Sequence, residues 1–142
     1  MAAPPEVVYG LITDVGRMGE WSPECYRCEW VDGAATATPG ARFRGYNRLG
    51  PLKWQRTAIV TTANPGREFS FTTINDRTER QETHWRYMMR QSEAGTLLTE
   101  AFQFLWCPTW NRTTELFIPR GRQVRRGIRE TLQRIKTAAE ST

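Results

Sequence analysis

Residues Val7 to Cys25 read VVYGLITDVGRMGEWSPEC, and this stretch organises the chain. Pro4 and Pro5 stand just before it, where a helix tolerates proline because the first turn's N–H groups have no intrahelical partner. Val7, Val8, Leu11, Ile12 and Val15 then recur at helical spacing and form one apolar stripe. Gly16 and Gly19 interrupt the pattern, leaving a compact second turn around Arg17 and Met18. Trp21-Ser22-Pro23 ends it. The spacing therefore predicts a short amphipathic helix, a second short helix or turn, and then strand.

From Tyr26 onward the period changes to two. Strands are expected at 25–31, 41–48, 53–63, 67–74, 80–92 and 95–106. The breaks between them carry turn residues: Asp32-Gly33, Pro39-Gly40, Gly50-Pro51, Asn64-Pro65-Gly66, Asn75-Asp76 and Ala94-Gly95. Strands this close, with no helix between them, exclude a parallel α/β sheet and read as an antiparallel meander. The period changes once more at the C-terminus. Val124, Ile128, Leu132, Ile135 and Ala139 lie on one helical stripe opposite a row of arginines, so a helix is expected over 121–140.

This order of elements resembles the START-like, or SRPBCC, superfamily, in its polyketide cyclase/dehydrase branch. The segments that carry the resemblance are PPEVVYGLITDVGRMGEWSPEC at 4–25, GARFRGYNRLGPLKW at 40–54, ETHWRYMM at 82–89, GTLLTEAFQF at 95–104 and the final helix. The resemblance implies an α+β helix-grip fold, a curved antiparallel sheet wrapped around a long C-terminal helix, with a cavity for a hydrophobic ligand between them. It does not by itself imply one activity, because function belongs to sites rather than folds. One departure stands out. Relatives carry a strand ahead of the first helix, whereas only Met1-Ala2-Ala3 precede Pro4. Strand 95–106 is thus expected to keep an open edge, unless the true start lies upstream or a homodimer closes the sheet.

The chain has 142 residues and 39% hydrophobic content, enough for one domain with a sizeable core. It has no apolar run of the ~20 residues that a membrane span needs, so no membrane insertion is expected. MAAPPEVV lacks the charged n-region and apolar stretch of a secretory signal, which makes the cytoplasm the expected compartment. The net charge is +5, and only Lys53 and Lys136 among the basic residues are lysines. The basic run from Arg112 to Lys136 reads as the solvated face of the last helix, not as a nucleic-acid surface, since no reading element accompanies it.

Cys25, Cys28 and Cys107 are an odd number of thiols, expected to be reduced. Cys25 and Cys28 form a lone C-x-x-C. In a regular strand, residues three apart point to opposite faces and cannot grip one metal, so neither a metal nor a cofactor is expected. The chain has a single histidine, His84, on the polar face of its strand, where it reads as a surface residue. No Walker motif, no GxGxxG after a strand and no HExxH occurs.

Alternation assigns the cavity-facing sides. Leu98, Glu100, Phe102, Phe104 and Trp106 share the heavier face of their strand, and Trp85, Tyr87 and Met89 that of the preceding one. Phe43, Gly45 and Asn47 turn inward opposite Arg42, Arg44, Tyr46 and Arg48. The expected pocket wall comprises Trp54, Trp85, Tyr87, Phe102 and Trp106, with Asn47 as a polar contact and Trp21 and Trp110 near the entrance. Two readings stand for Glu100: a structural carboxylate bonded to a neighbouring tyrosine, tryptophan or arginine, or a ligand-orienting group or general base. A carboxylate on an aromatic face needs a partner, a ligand or water in either case. Glu24 is the second candidate, placed near the cavity mouth by the resemblance, and Tyr87 the third acid/base candidate.

Two functions follow. One is binding of a polyketide-, aromatic- or lipid-like small molecule. The other is cofactor-independent cyclase/dehydratase chemistry, with a cavity carboxylate or tyrosine moving one proton while the cavity supplies proximity.

Overall fold

A computed structural model describes residues 1–106 and 120–142. Helix α1 spans Pro5–Thr13, with proline in its first turn and Glu6 at its positive end. A 3₁₀ turn over Val15–Arg17 leads into the four-residue α2, Met18–Trp21. Val8, Leu11, Ile12 and Val15 from the expected stripe are buried. Gly19 is required where α2 meets the first strand: a Cβ there would stand 2.6 Å from the carbonyl oxygen of Tyr26.

Six strands follow: β1 Cys25–Val31, β2 Arg42–Leu49, β3 Leu52–Asn64, β4 Glu68–Ile74, β5 Gln81–Ser92 and β6 Gly95–Phe104. They pair antiparallel in chain order, β1-β2-β3-β4-β5-β6, as a meander does. Each expected strand is present within two residues of its bounds. The last helix, α3, runs Arg120–Glu140 and packs against α1, α2 and β6 on the concave side of the sheet. The α+β helix-grip architecture expected from the sequence is therefore what the chain adopts.

The core lies between α1, the distal half of α3 and the sheet. Ile135 is fully buried among Val8, Ile12, Val60 and Phe69, and Ala139 is buried with them. Of the helical stripe, Ile128 and Leu132 are only half-buried, while Thr131 is buried instead. Aromatic rings run across the concave face. Trp30 meets Phe43 at 5.6 Å, Phe43 meets Phe71 at 5.0 Å, and Trp85 meets Phe102 at 4.5 Å between centroids. Edge-on and tilted pairs of this kind add to the area they bury.

Three expectations change. The first concerns the cysteines. Cys25 pairs with Asn47 and Cys28 with Gly45, and the register slips by one residue between Cys25 and Arg27. This β-bulge absorbs Tyr26, so both thiols point to the concave face and both are buried. The argument from strict alternation fails there because the strand is not regular. The second concerns the end of β6. Leu105 and Trp106 both turn their N–H groups to the Glu82 carbonyl, and the strand has already ended at Phe104. Trp106 is consequently exposed, with the Arg80 guanidinium 4.1 Å over its ring. Phe104, still paired with Thr83 and edge-on to Phe102 at 4.6 Å, keeps its expected face but is exposed at the sheet's end.

The third concerns the β6 edge. Among the described residues no strand precedes α1, but Met1–Ala3 occupy the start of that edge. The Met1 ammonium donates to the Thr96 carbonyl at 2.8 Å, and the Thr96 N–H donates back to Met1 at 2.9 Å. The Thr96 hydroxyl donates to the Ala3 carbonyl at 2.6 Å. Gly95 makes the approach feasible, since a Cβ there would lie 2.4 Å from the Met1 oxygen, and its φ of 118° favours glycine.

Candidate ligand cavity

Where the sheet curves away from the first half of α3, it leaves a cavity of about 130 Å³ that opens to solvent. The sheet contributes inward side chains of β2 to β6: Phe43, Asn47, Arg56, Ala58, Phe71, Thr73, Trp85, Tyr87 and Glu100. The turn between α2 and β1 supplies Ser22, Pro23, Glu24 and Cys25, and α3 closes the space with Gln123, Val124, Gly127, Ile128 and Thr131. The wall is mainly apolar with a few convergent polar groups, the usual character of a small-molecule site.

Glu100 and Tyr87 sit directly opposite each other on β6 and β5. The Tyr87 hydroxyl donates to Glu100 Oε1 at 2.9 Å. Glu100 Oε2 is buried and has no hydrogen-bond partner among the described residues. Removal from water pushes the Glu100 carboxyl up from 4.5 to about 7, only partly opposed by the Tyr87 bond. Burial, and then the neighbouring Glu100 charge, hold the Tyr87 hydroxyl well above its ordinary value. Tyr87 therefore stays neutral and serves as a hydrogen-bond donor at neutral pH, and Glu100 is the group in this pair that changes charge near it.

Glu24 lies at the mouth and is held from α3. Both of its oxygens accept from the Arg120 guanidinium, the Oε2 bond measuring 2.8 Å. Bidentate pairing of this kind fixes geometry as well as charge. Arg120 also lies over the Trp54 ring at 5.8 Å, which ties Trp54 to the rim and not to the lining. Asn47 lines the cavity, its amide donating weakly to the Gly45 carbonyl at 3.4 Å.

The sequence-derived candidates thus divide. Glu24, Asn47, Trp85, Tyr87 and Glu100 come together around the space. Phe102 packs at a tilt against Trp85 and is not a lining residue. Trp21 is 2% exposed, part of the core beneath α2. Trp106 sits on the surface against Arg80, and Trp110 lies outside the described residues. His84 is on the convex face, its Nδ1 3.0 Å from the Thr72 hydroxyl. Among the described residues no three His, Cys, Asp or Glu side chains gather to hold a metal ion.

Several lining residues are not marked in the sequence, the polar Arg56, Gln123 and Thr131 among them. Arg56 shares the inward face of β3 with Trp54 and Ala58, so alternation could have found it; its Nε donates to Glu82 at 2.6 Å. Gln123 and Thr131 flank Val124 and Ile128 on α3. An apolar stripe does not mark them, because the helix face that meets a cavity is mixed. Gln123 Oε1 is buried without a partner among the described residues.

The sequence model for the family described as polyketide cyclase/dehydrase and lipid transport matches residues 1–132. A polyketide cyclase-like protein from Corynebacterium glutamicum, solved in solution, is 31% identical. The match covers 99% of this chain and 80% of that one, with a TM-score of 0.51. A crystal structure from Nitrosomonas europaea is 13% identical with a TM-score of 0.71, covering 99% of this chain and 90% of that one. The di-domain ARO/CYC of the steffimycin biosynthetic pathway is 15% identical, with a TM-score of 0.70 over 99% of this chain and 42% of that one. These last two show the fold alone. No protein of curated function matches. The chain belongs to the polyketide cyclase/dehydrase and lipid transport family.

Proposed function

We propose that this family member binds a hydrophobic small molecule carrying a hydroxyl or carbonyl oxygen, and that Glu100 orients it. The observation that carries this reading is the Glu100 Oε2 atom: buried, without a partner among the described residues, and set in the apolar wall of the cavity. An unpaired buried polar atom costs free energy unless a ligand or water completes it. A carboxyl near pH 7 serves either way, donating to a carbonyl when neutral and accepting from a hydroxyl when ionised. Trp85, Phe71 and Phe43 supply flat apolar surface around that point.

Calorimetric titration with 2-naphthol and with naphthalene tests this. One hydrogen bond at Glu100 contributes about 0.5–1.5 kcal/mol, so 2-naphthol should bind roughly two- to tenfold more tightly. Glu100→Leu should erase that preference while leaving naphthalene affinity in place. Equal affinity of the two compounds for the native protein would sink the reading.

The same carboxyl favours a second reading, cofactor-independent cyclase/dehydratase chemistry. A general acid or base works best when its pKa lies near the operating pH, and burial places Glu100 there. Glu100→Gln separates the two. An orienting contact predicts a modest loss of affinity, whereas proton transfer predicts loss of turnover with affinity retained.

A further inference from the structure

A second polar group of the cavity stands open across from Glu100. On the helix wall, Gln123 in the first turn of α3 lines the same space, and its Oε1 atom is buried without a hydrogen-bond partner among the described residues. The neighbours of Gln123 on that side of the helix are tied down. Arg120, three residues earlier, donates through Nη1 and Nη2 to the two Glu24 oxygens, the Oε2 bond measuring 2.8 Å. Gly127, four residues later, packs so closely on the α2–β1 turn that a Cβ would stand 3.4 Å from Pro23 Cγ. Residues three and four apart share a helix face, so these two contacts hold Gln123 at the cavity from either side. Val124 and Ile128 make the adjoining wall apolar. A buried amide oxygen in such a setting costs free energy until a donor reaches it.

We propose that Gln123 is a specificity-determining contact that accepts from a second ligand hydroxyl, so that the cavity selects small aromatic diols with one oxygen at the sheet and the other at α3. This contact presupposes that the space binds a ligand through Glu100. A hydroxyl is the group that fits, because it donates to the amide oxygen, whereas a carbonyl or an ionised carboxylate offers no proton. A cationic donor would lose its hydration against Phe43, Phe71 and Trp85. Those three rings suit a flat apolar body held between two oxygens. An added hydroxyl must itself leave water on binding, so it raises affinity only where a partner stands ready.

The test is calorimetric titration of the native protein and of Gln123→Leu with 2-naphthol, naphthalene-2,6-diol and naphthalene-2,7-diol. One net hydrogen bond changes affinity roughly two- to tenfold, so at least one diol should bind the native protein that much more tightly than 2-naphthol does. Leucine is close to glutamine in length and forms helix well, and Gln123→Leu should abolish the diol's gain. Its affinity for 2-naphthol should stay within about twofold of the native value, because the single hydroxyl goes to Glu100, and that retained binding also shows the variant to be folded. If neither diol outbinds 2-naphthol on the native protein, water completes Gln123 and the proposal is overturned; this comparison needs no variant. A diol gain that survives in Gln123→Leu overturns it as well. The Glu100 reading fails by a different result, equal binding of 2-naphthol and naphthalene to the native protein. Loss of 2-naphthol affinity in a folded Gln123→Leu would overturn both, since the first hydroxyl would then sit at α3.

Discussion

Replacing Glu100 with glutamine should change how stability depends on pH more than it changes stability at any one pH. In the folded chain the carboxyl keeps its proton up to about pH 7, whereas the unfolded chain releases it near 4.5. Between those values the native state binds a proton that the unfolded state does not, so stability falls as pH rises through the window and levels off above it. The gap corresponds to about 3 kcal/mol, at about 1.4 kcal/mol per pH unit. Glutamine cannot titrate, and its amide oxygen can still accept from Tyr87. Urea unfolding followed by tryptophan fluorescence at pH 5, 6, 7 and 8 gives both curves. For a domain this size the native protein's midpoint should drop by about 1–2 M urea across that range, relative to the variant. Glu20, Glu29 and Glu68 are held below the ordinary carboxylate value by Arg17, Tyr46 and Arg86 respectively. Their contribution is lost only as pH falls below about 4.5, outside the window. Parallel curves for the two proteins from pH 5 to 8 would show that Glu100 reaches water, and the argument for its role would fail.

Further outcomes concern the frame of the cavity. Ile135→Ala should cost about 2–5 kcal/mol in chemical denaturation, because its side chain is fully buried between helix and sheet, and Leu132→Ala less, because Leu132 is only half-buried. Gly19→Ala should destabilise by about 1–3 kcal/mol, since the new Cβ meets the Tyr26 carbonyl; a neutral result would mean that the α2–β1 junction shifts freely. Deleting Met1–Ala3 removes three hydrogen bonds to Thr96 and bares the start of the β6 edge. Light scattering should then show increased self-association, and an unchanged monomer would show that this edge does not recruit another chain.

Periodicity alone determined the elements and their order. A period near 3.6 in Val7–Val15 and Val124–Ala139, and a period of two between them, give helices flanking an antiparallel meander, while the grip of the sheet on the last helix was implied by the family resemblance. Alternation also placed Phe43, Asn47, Trp85, Tyr87 and Glu100 on one side, because a strand's side chains switch face at every residue. It failed wherever the backbone leaves that geometry. The bulge at Tyr26 turned Cys25 and Cys28 to a common face. The end of β6 at Phe104 released Trp106 to the surface. Only the tertiary structure decided which inward residues line space and which fill it, since that depends on how far the curved sheet stands from α3. Arg56, Gln123 and Thr131 therefore emerged as lining residues, while Trp21 joined the core. The protonation of Glu100 belongs to the same class of fact. Its residue type is written in the sequence, but the desolvation that lifts it to about 7 comes from groups distant along the chain.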